Sequence, residues 1–195
     1  STDRVRSSPA IGDVDNDGQM EIVFGNSSGK LYIINQDGSQ QLAYTQLGFV
    51  EGAPALVDID GDQDLEIIFT TTTGSGGQVY VIHHNGATES GFPKEIGSMF
   101  AGPAVHDLDN DGVVDVVCVT YDKEIYVIEA IGGAIKSGFP FTAESRFSMP
   151  ATIVDVDSDG DYEIAAGCNS GDLYVLHHDG TIHSQYDTGD DIRGG

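Results

Sequence analysis

The sequence predicts an all-β fold of four repeats, each the four-stranded antiparallel sheet of one β-propeller blade, on three observations. First, an acidic nine-residue window starts at Asp13, Asp58, Asp107 and Asp155. Successive copies lie 45, 49 and 48 residues apart along the 195-residue chain, a period that marks solenoids and propellers. Second, the segments between windows are short runs rich in Val, Ile and Tyr bounded by turn residues, which read as strands. Third, no segment sustains a 3.6-residue apolar period, so no helix is expected. Roughly four strands in about 40–50 residues is the size of a blade, whereas a parallel β-helix has a much shorter rung.

Each unit opens with a Pro-Ala pair (Pro9, Pro54, Pro103 and Pro150) on a strand that enters the acidic window. The strand leaving it reads EIVFG, EIIFT, DVVCV or EIAAG. A third strand follows, LYII, VYVI, IYVI or LYVL, with Tyr32, Tyr80, Tyr126 and Tyr174 in the same place. Asp37-Gly38, Asn85-Gly86, Gly132-Gly133 and Asp179-Gly180 then supply residues that tolerate the positive φ of hairpin turns. A more polar outer strand, such as QQLAYTQL or HSQYDT, closes the unit. The repeats run over about 5–49, 50–98, 99–146 and 147–191 of a single domain, 1–195, with 192–195 opening a fifth. Val5-Arg6-Ser7-Ser8 before Pro9 is similar to Ile192-Arg193-Gly194-Gly195. The expectation is an arc of a larger ring or a half-ring completed by a second copy, ahead of a four-bladed ring closed alone.

The composition excludes several function classes. Eight Lys and Arg stand against 32 Asp and Glu, a formal charge of −24, which repels nucleic acid and anionic lipid. No apolar run nears the roughly 18 residues of a membrane span, and 39% hydrophobic residues suffice for a core. The four windows hold 18 of the 32 acidic residues and no Lys or Arg; the remaining 159 residues carry a net charge of only −6. Charge gathered in this way points to cation sites rather than to a uniformly acidic surface.

Ca²⁺ takes six to eight oxygen ligands at flexible angles. A loop with carboxylates at positions 1, 3 and 5, a carbonyl at 7 and a carboxylate at 9 wraps one ion. The first loop offers Asp13, Asp15, Asp17, Gln19 and Glu21, the second Asp58, Asp60, Asp62, Asp64 and Glu66. The third offers Asp107, Asp109, Asp111, Val113 and Asp115, the fourth Asp155, Asp157, Asp159, Asp161 and Glu163. About four Ca²⁺ per chain are expected. Gly18, Gly112 and Gly160 permit a sharp turn at position 6; in the second loop Gln63 stands there and Gly61 at position 4, so this site is expected to be the weakest or most distorted. An EF-hand would need Glu at position 12, where Phe24, Phe69, Cys118 and Ala166 stand. Mg²⁺ prefers a strict, water-rich octahedron.

These residues resemble the FG-GAP or VCBS repeat family: Phe49-x-x-Gly-Ala-Pro54, with Phe100-Ala-Gly-Pro103 and Phe147-Ser-Met-Pro150 as shortened forms, then DxDxDGxxD/E, then EIVFG and LYVI. Gly91-Phe92-Pro93 and Gly138-Phe139-Pro140 look like a bacterial variant. The extra residue between Pro150 and Asp155 and the long TTTTGSGGQ turn depart from the pattern. The resemblance implies a propeller with Ca²⁺ in successive hairpin loops, an extracellular or cell-surface location, and a role in adhesion, recognition or scaffolding. The partner implied is a protein or glycan, a second copy, or the remaining blades of a larger propeller. The alternative is part of a carbohydrate-active enzyme or lectin with a glycan site on a propeller face, built by loops such as Thr70 to Gln78.

Rival sites are weaker. Gly25-Asn-Ser-Ser-Gly29 matches GxSxG, but between two strands rather than at a strand-to-helix elbow, so no nucleophile and no catalytic residue is assigned. His83-His84 and His177-His178 end strands; adjacent strand residues face opposite ways, so the pairs read as turn-edge filler rather than zinc ligands. Cys118 and Cys168 are either bridged or free and buried. Asn26-Ser27-Ser28 is a literal glycosylation sequon.

Overall fold

A computed structural model of the chain describes residues 3–45 and 48–192. Gln46 and Leu47 of the expected outer strand, and Arg193 to Gly195 of the expected fifth repeat, lie outside the described residues. Sixteen strands form four antiparallel sheets of four strands each. The first sheet holds β1 (Ala10–Gly12), β2 (Glu21–Gly25), β3 (Lys30–Ile34) and β4 (Gln40–Thr45), and the second β5 (Ala55–Val57), β6 (Glu66–Thr73), β7 (Gly76–Ile82) and β8 (Lys94–Ile96). The third holds β9 (Ala104–His106), β10 (Asp115–Val119), β11 (Glu124–Glu129) and β12 (Phe141–Thr142), and the fourth β13 (Thr152–Val154), β14 (Glu163–Gly167), β15 (Asp172–Leu176) and β16 (Ile182–Asp187). Within every sheet the strands neighbour one another in chain order, which is the up-and-down meander of a propeller blade. Among the described residues no helix is long and apolar enough to cross a membrane.

The blades group as two compact units, Ser1–Gly102 and Pro103–Gly195, with two blades in each. In the first unit Val23, Leu31 and Ile33 of one blade pack with Ile67, Phe69, Tyr80 and Ile82 of the next. The repeated tyrosines each stand opposite the residue three places beyond the acidic window: Tyr32 pairs Phe24, Tyr80 pairs Phe69, Tyr126 pairs Cys118 and Tyr174 pairs Ala166. Phe69 stacks on Tyr80 at 4.9 Å, and Tyr44 of β4 meets both rings edge-on. Cross-strand aromatic pairs of this kind stabilise a sheet beyond their buried area.

The glycines of the Phe-x-x-Gly-Ala-Pro segments have a packing reason. A Cβ on Gly52 would lie 2.3 Å from the Gly102 nitrogen, and one on Gly102 would lie 2.2 Å from the Ala53 oxygen. Backbone meets backbone here, so only glycine fits.

One expected loop is corrected. Thr70 to Gln78 is not a variable loop but the β6–β7 hairpin, in which Thr70, Thr71 and Thr72 are buried and the turn is Gly74 and Ser75. Four consecutive threonines carry the β-branched side chains that fit a pleated sheet, and this propensity outweighs the turn-like appearance of the composition.

Candidate metal centres

Every acidic window joins the first strand of a blade to the second, and position 9 is the first residue of that second strand. Glu21, Glu66, Asp115 and Glu163 pair with Gly12, Val57, His106 and Val154, so the strand register closes the loop. Their side chains turn inward and are almost wholly buried. Each accepts a hydrogen bond from the position-2 amide: Val14 at 3.0 Å, Ile59 at 3.1 Å, Leu108 at 3.2 Å and Val156 at 3.0 Å. A second bond also recurs, from the position-7 amide to the position-5 carboxylate, at 2.8 Å for Gln19–Asp17, 2.9 Å for Asp64–Asp62, 2.8 Å for Val113–Asp111 and 3.0 Å for Asp161–Asp159.

Two backbone positions per loop, not one, adopt positive φ. Position 6 does so at Gly18, Gln63, Gly112 and Gly160, and position 4 at Asn16, Gly61, Asn110 and Ser158. The second loop therefore keeps the sign of φ found at these positions in the others, with its glycine at position 4 instead of position 6. Gly61 occupies one left-handed position and Gln63, at φ 80°, takes the strain at the other. The loops differ instead at position 1. Asp13 and Asp107 each accept the amides of positions 5 and 6, Asp58 those of Gly61 and Gln63, and Asp155 that of Ser158. The first and third loops share one pattern.

The carboxylates converge. Asp13, Asp15 and Asp17 each bring one oxygen within 4.8 Å of the others; so do Asp58, Asp60 and Asp62, then Asp107, Asp109 and Asp111, then Asp155, Asp157 and Glu163. Two oxygens on opposite sides of one Ca²⁺ are about 5 Å apart, so the spacing fits. At the first loop, Asp15 Oδ1 and, from β4, Gln41 Oε1 are buried oxygens with no donor, and Asp15, Asp17, Gln19, Glu21 and Gln41 line a hollow of about 210 Å³. Buried acceptors without donors are expensive unless a cation meets them. Burial pushes the carboxyls of Glu21, Glu66 and Asp115 above the usual range, and in Glu21 the neighbouring Asp15, Asp17 and Asp13 add to it. These groups resist carrying charge without a counter-ion.

The acids at positions 7 and 9 of the second and fourth loops also have histidine partners. Asp64 lies 3.2 Å from His84 and Asp161 3.4 Å from His178, and Glu66 and Glu163 pair with His83 at 3.0 Å and His177 at 3.3 Å. The histidine pairs are thus partners of the loop acids, not filler. β7 ends at Ile82 and β15 at Leu176, so the histidines lie past the strands and are free of their two-face alternation.

A further position escaped the sequence reading. Three residues after Gly38, Gly86, Gly133 and Gly180 stand Gln41, Glu89, Lys136 and His183. Gln41 and His183 sit at register shifts of the β3–β4 and β15–β16 pairs; such a bulge re-aims a side chain. Three of them address the acidic loop of their blade directly, and Glu89 does so only through His83, which pairs with Glu66. Gln41 donates to Asp15 at 3.0 Å, Glu89 meets His83 at 3.2 Å, and His183 lies 3.6 Å from Asp157. Lys136 Nζ lies 2.8 Å from Asp109, 3.0 Å from Asp115 and 4.0 Å from Asp111. Burial works against its ammonium, yet the hydrogen bonds to Asp109 and Asp115 hold it above the usual lysine range. For Asp109, burial is outweighed by Lys136, which holds the carboxyl low.

The rival motifs fall away. Gly25 to Gly29 is the β2–β3 turn, with Asn26 buried and its Oδ1 accepting the amides of Ser28 and Lys30, so the sequon is inaccessible. Cys118 and Cys168 are free and buried.

A family model described as FG-GAP-like repeat matches residues 13–69 and 58–118. No curated protein matches the chain. Among solved structures, BamB from Moraxella catarrhalis superposes with a TM-score of 0.66 at 16% identity, over 97% of this chain and 52% of that one. BBS1N, solved in complex with ARL6DN, gives 0.65 at 15% identity over 94% and 57%. The C-terminal domain of Pseudomonas aeruginosa PilY1 gives 0.57 at 18% identity over 80% and 38%. The chain spans about half the length of the first two, and likeness at these identities shows the fold alone.

Proposed function

Since the chain belongs to the FG-GAP-like repeat family, we propose that it is a calcium-binding propeller module of a secreted or cell-surface protein, with a role in binding, adhesion or scaffolding rather than in catalysis. The observation that carries the metal reading is the first loop: converging Asp13, Asp15 and Asp17, buried Glu21, and two buried oxygens without donors. In this loop Asp13, Asp15, Asp17 and Glu21, with the carbonyl of Gln19, would hold the ion, and the corresponding residues would do so in the second and fourth loops. Bound Ca²⁺ neutralises carboxylates that otherwise repel one another and holds the loop in one shape. The binding role is supported by the many loops that such a scaffold presents and by the protein partner of one propeller neighbour, BBS1N. The identity of this chain's own partner is left to a pull-down, and glycan arrays test the lectin reading.

Calorimetric titration with Ca²⁺ after chelation tests the metal reading. Several ions per chain should bind, and each should add about 2.7 kcal/mol of stability at a hundredfold excess over its Kd. An unchanged melting temperature without heat of binding would overturn it.

A further inference from the structure

We propose that the third acidic loop takes no metal ion because Lys136 is its built-in cation. This rests on the calcium reading of the other loops. The first and third loops form a natural pair: both carry four carboxylates, at Asp13, Asp15, Asp17 and Glu21 and at Asp107, Asp109, Asp111 and Asp115. Both fold the same way, with the position-1 carboxylate accepting the amides of positions 5 and 6 and the position-5 carboxylate accepting that of position 7. Two of their differences bear on charge and reach at the site. Position 9 is Glu21 in one and the shorter Asp115 in the other, and the residue three places after the turn glycine, aimed at the loop, is neutral Gln41 in one and Lys136 in the other.

The Lys136 side chain is only 11% exposed, and its ammonium bridges Asp109 at 2.8 Å and Asp115 at 3.0 Å. It therefore lies between carboxylates at positions 3 and 9, whose counterparts in the first loop, Asp15 and Glu21, would help hold the ion. Asp115 itself is fully buried, and its shorter side chain leaves length for the lysine to reach it. A divalent ion entering this loop must displace the lysine from both partners or sit beside a positive charge. The ammonium leaves Asp109 Oδ1 and Asp115 Oδ1 without donors, so a removed lysine exposes a ligand set like that of the first loop. The loop is then shaped permanently, whatever the calcium concentration.

Reciprocal substitution on the full chain tests this. Native mass spectrometry and calorimetry with Ca²⁺ should count three ions on the wild type, four on Lys136→Gln and two on Gln41→Lys, with Lys136→Arg remaining at three. In the wild type, the Gly112 amide resonance should stay in place during the titration while those of Gly18 and Gly160 move, a readout that needs no variant to fold. A fourth ion on the wild type with movement of Gly112, or a folded Lys136→Gln that gains none, overturns the inference and leaves calcium binding by the other loops intact. No uptake by the wild type or by any of the three variants overturns both.

Discussion

At single residues, charge and φ decide which loop does what. Gln63 sits at φ 80° where three sister loops have glycine. Gln63→Gly should therefore raise stability by about 1 kcal/mol in urea denaturation, net of the added freedom of the unfolded chain. Cys118 illustrates the opposite constraint: its burial pushes the thiol up to about 12 from 9.0. A raised acid favours the neutral form in the fold, so its contribution is complete below pH 9 and lost as pH rises towards about 12. Native protein should not react with a thiol reagent at neutral pH, and Cys118→Ala should weaken the pH dependence of unfolding in that window.

At the level of strands and segments, close packing takes over. Phe69 on β6 joins Tyr80 of its own blade to Tyr44 of the preceding one. Phe69→Ala should cost about 3–5 kcal/mol by equilibrium unfolding. Two glycine substitutions separate backbone crowding from φ strain. Gly52→Ala would drive a methyl into the Gly102 backbone, a loss of about 2–3 kcal/mol. Gly18→Ala meets nothing within 4 Å and pays only for its φ of 87°, about 1 kcal/mol. Blades are also joined through their loops: Leu65 donates to the Val14 carbonyl at 3.1 Å, and Tyr162 to that of Leu108 at 2.9 Å. Order in one loop is thereby tied to its neighbour within the unit.

On the scale of the whole molecule, the formal charge of −24 is a property of the metal-free chain. Half-exposed carboxylates crowded in the loops repel one another, and at about 1 M salt the screening length shrinks to about 3 Å. The melting temperature of the chelated protein should therefore rise with sodium chloride, while that of the calcium-loaded protein should change little; parallel salt responses would argue against ion uptake in the loops.

The acidic loops were legible because their chemistry is local: carboxylates, glycine and strand signals lie within nine residues and repeat at one period, so four strands per unit and the converging aspartates followed from the chain alone. Gln41, Glu89, Lys136 and His183 were not legible, although they share one offset from a turn glycine, because no residue type repeats there. They acquire a common role only where the chain after the hairpin turn folds their side chains back towards the loop, 21 to 27 residues away in sequence for Lys136 and its three carboxylates. Local sequence determined where carboxylates gather; the tertiary fold decided which of these loops receives a lysine, because charge acts through space and not along the chain.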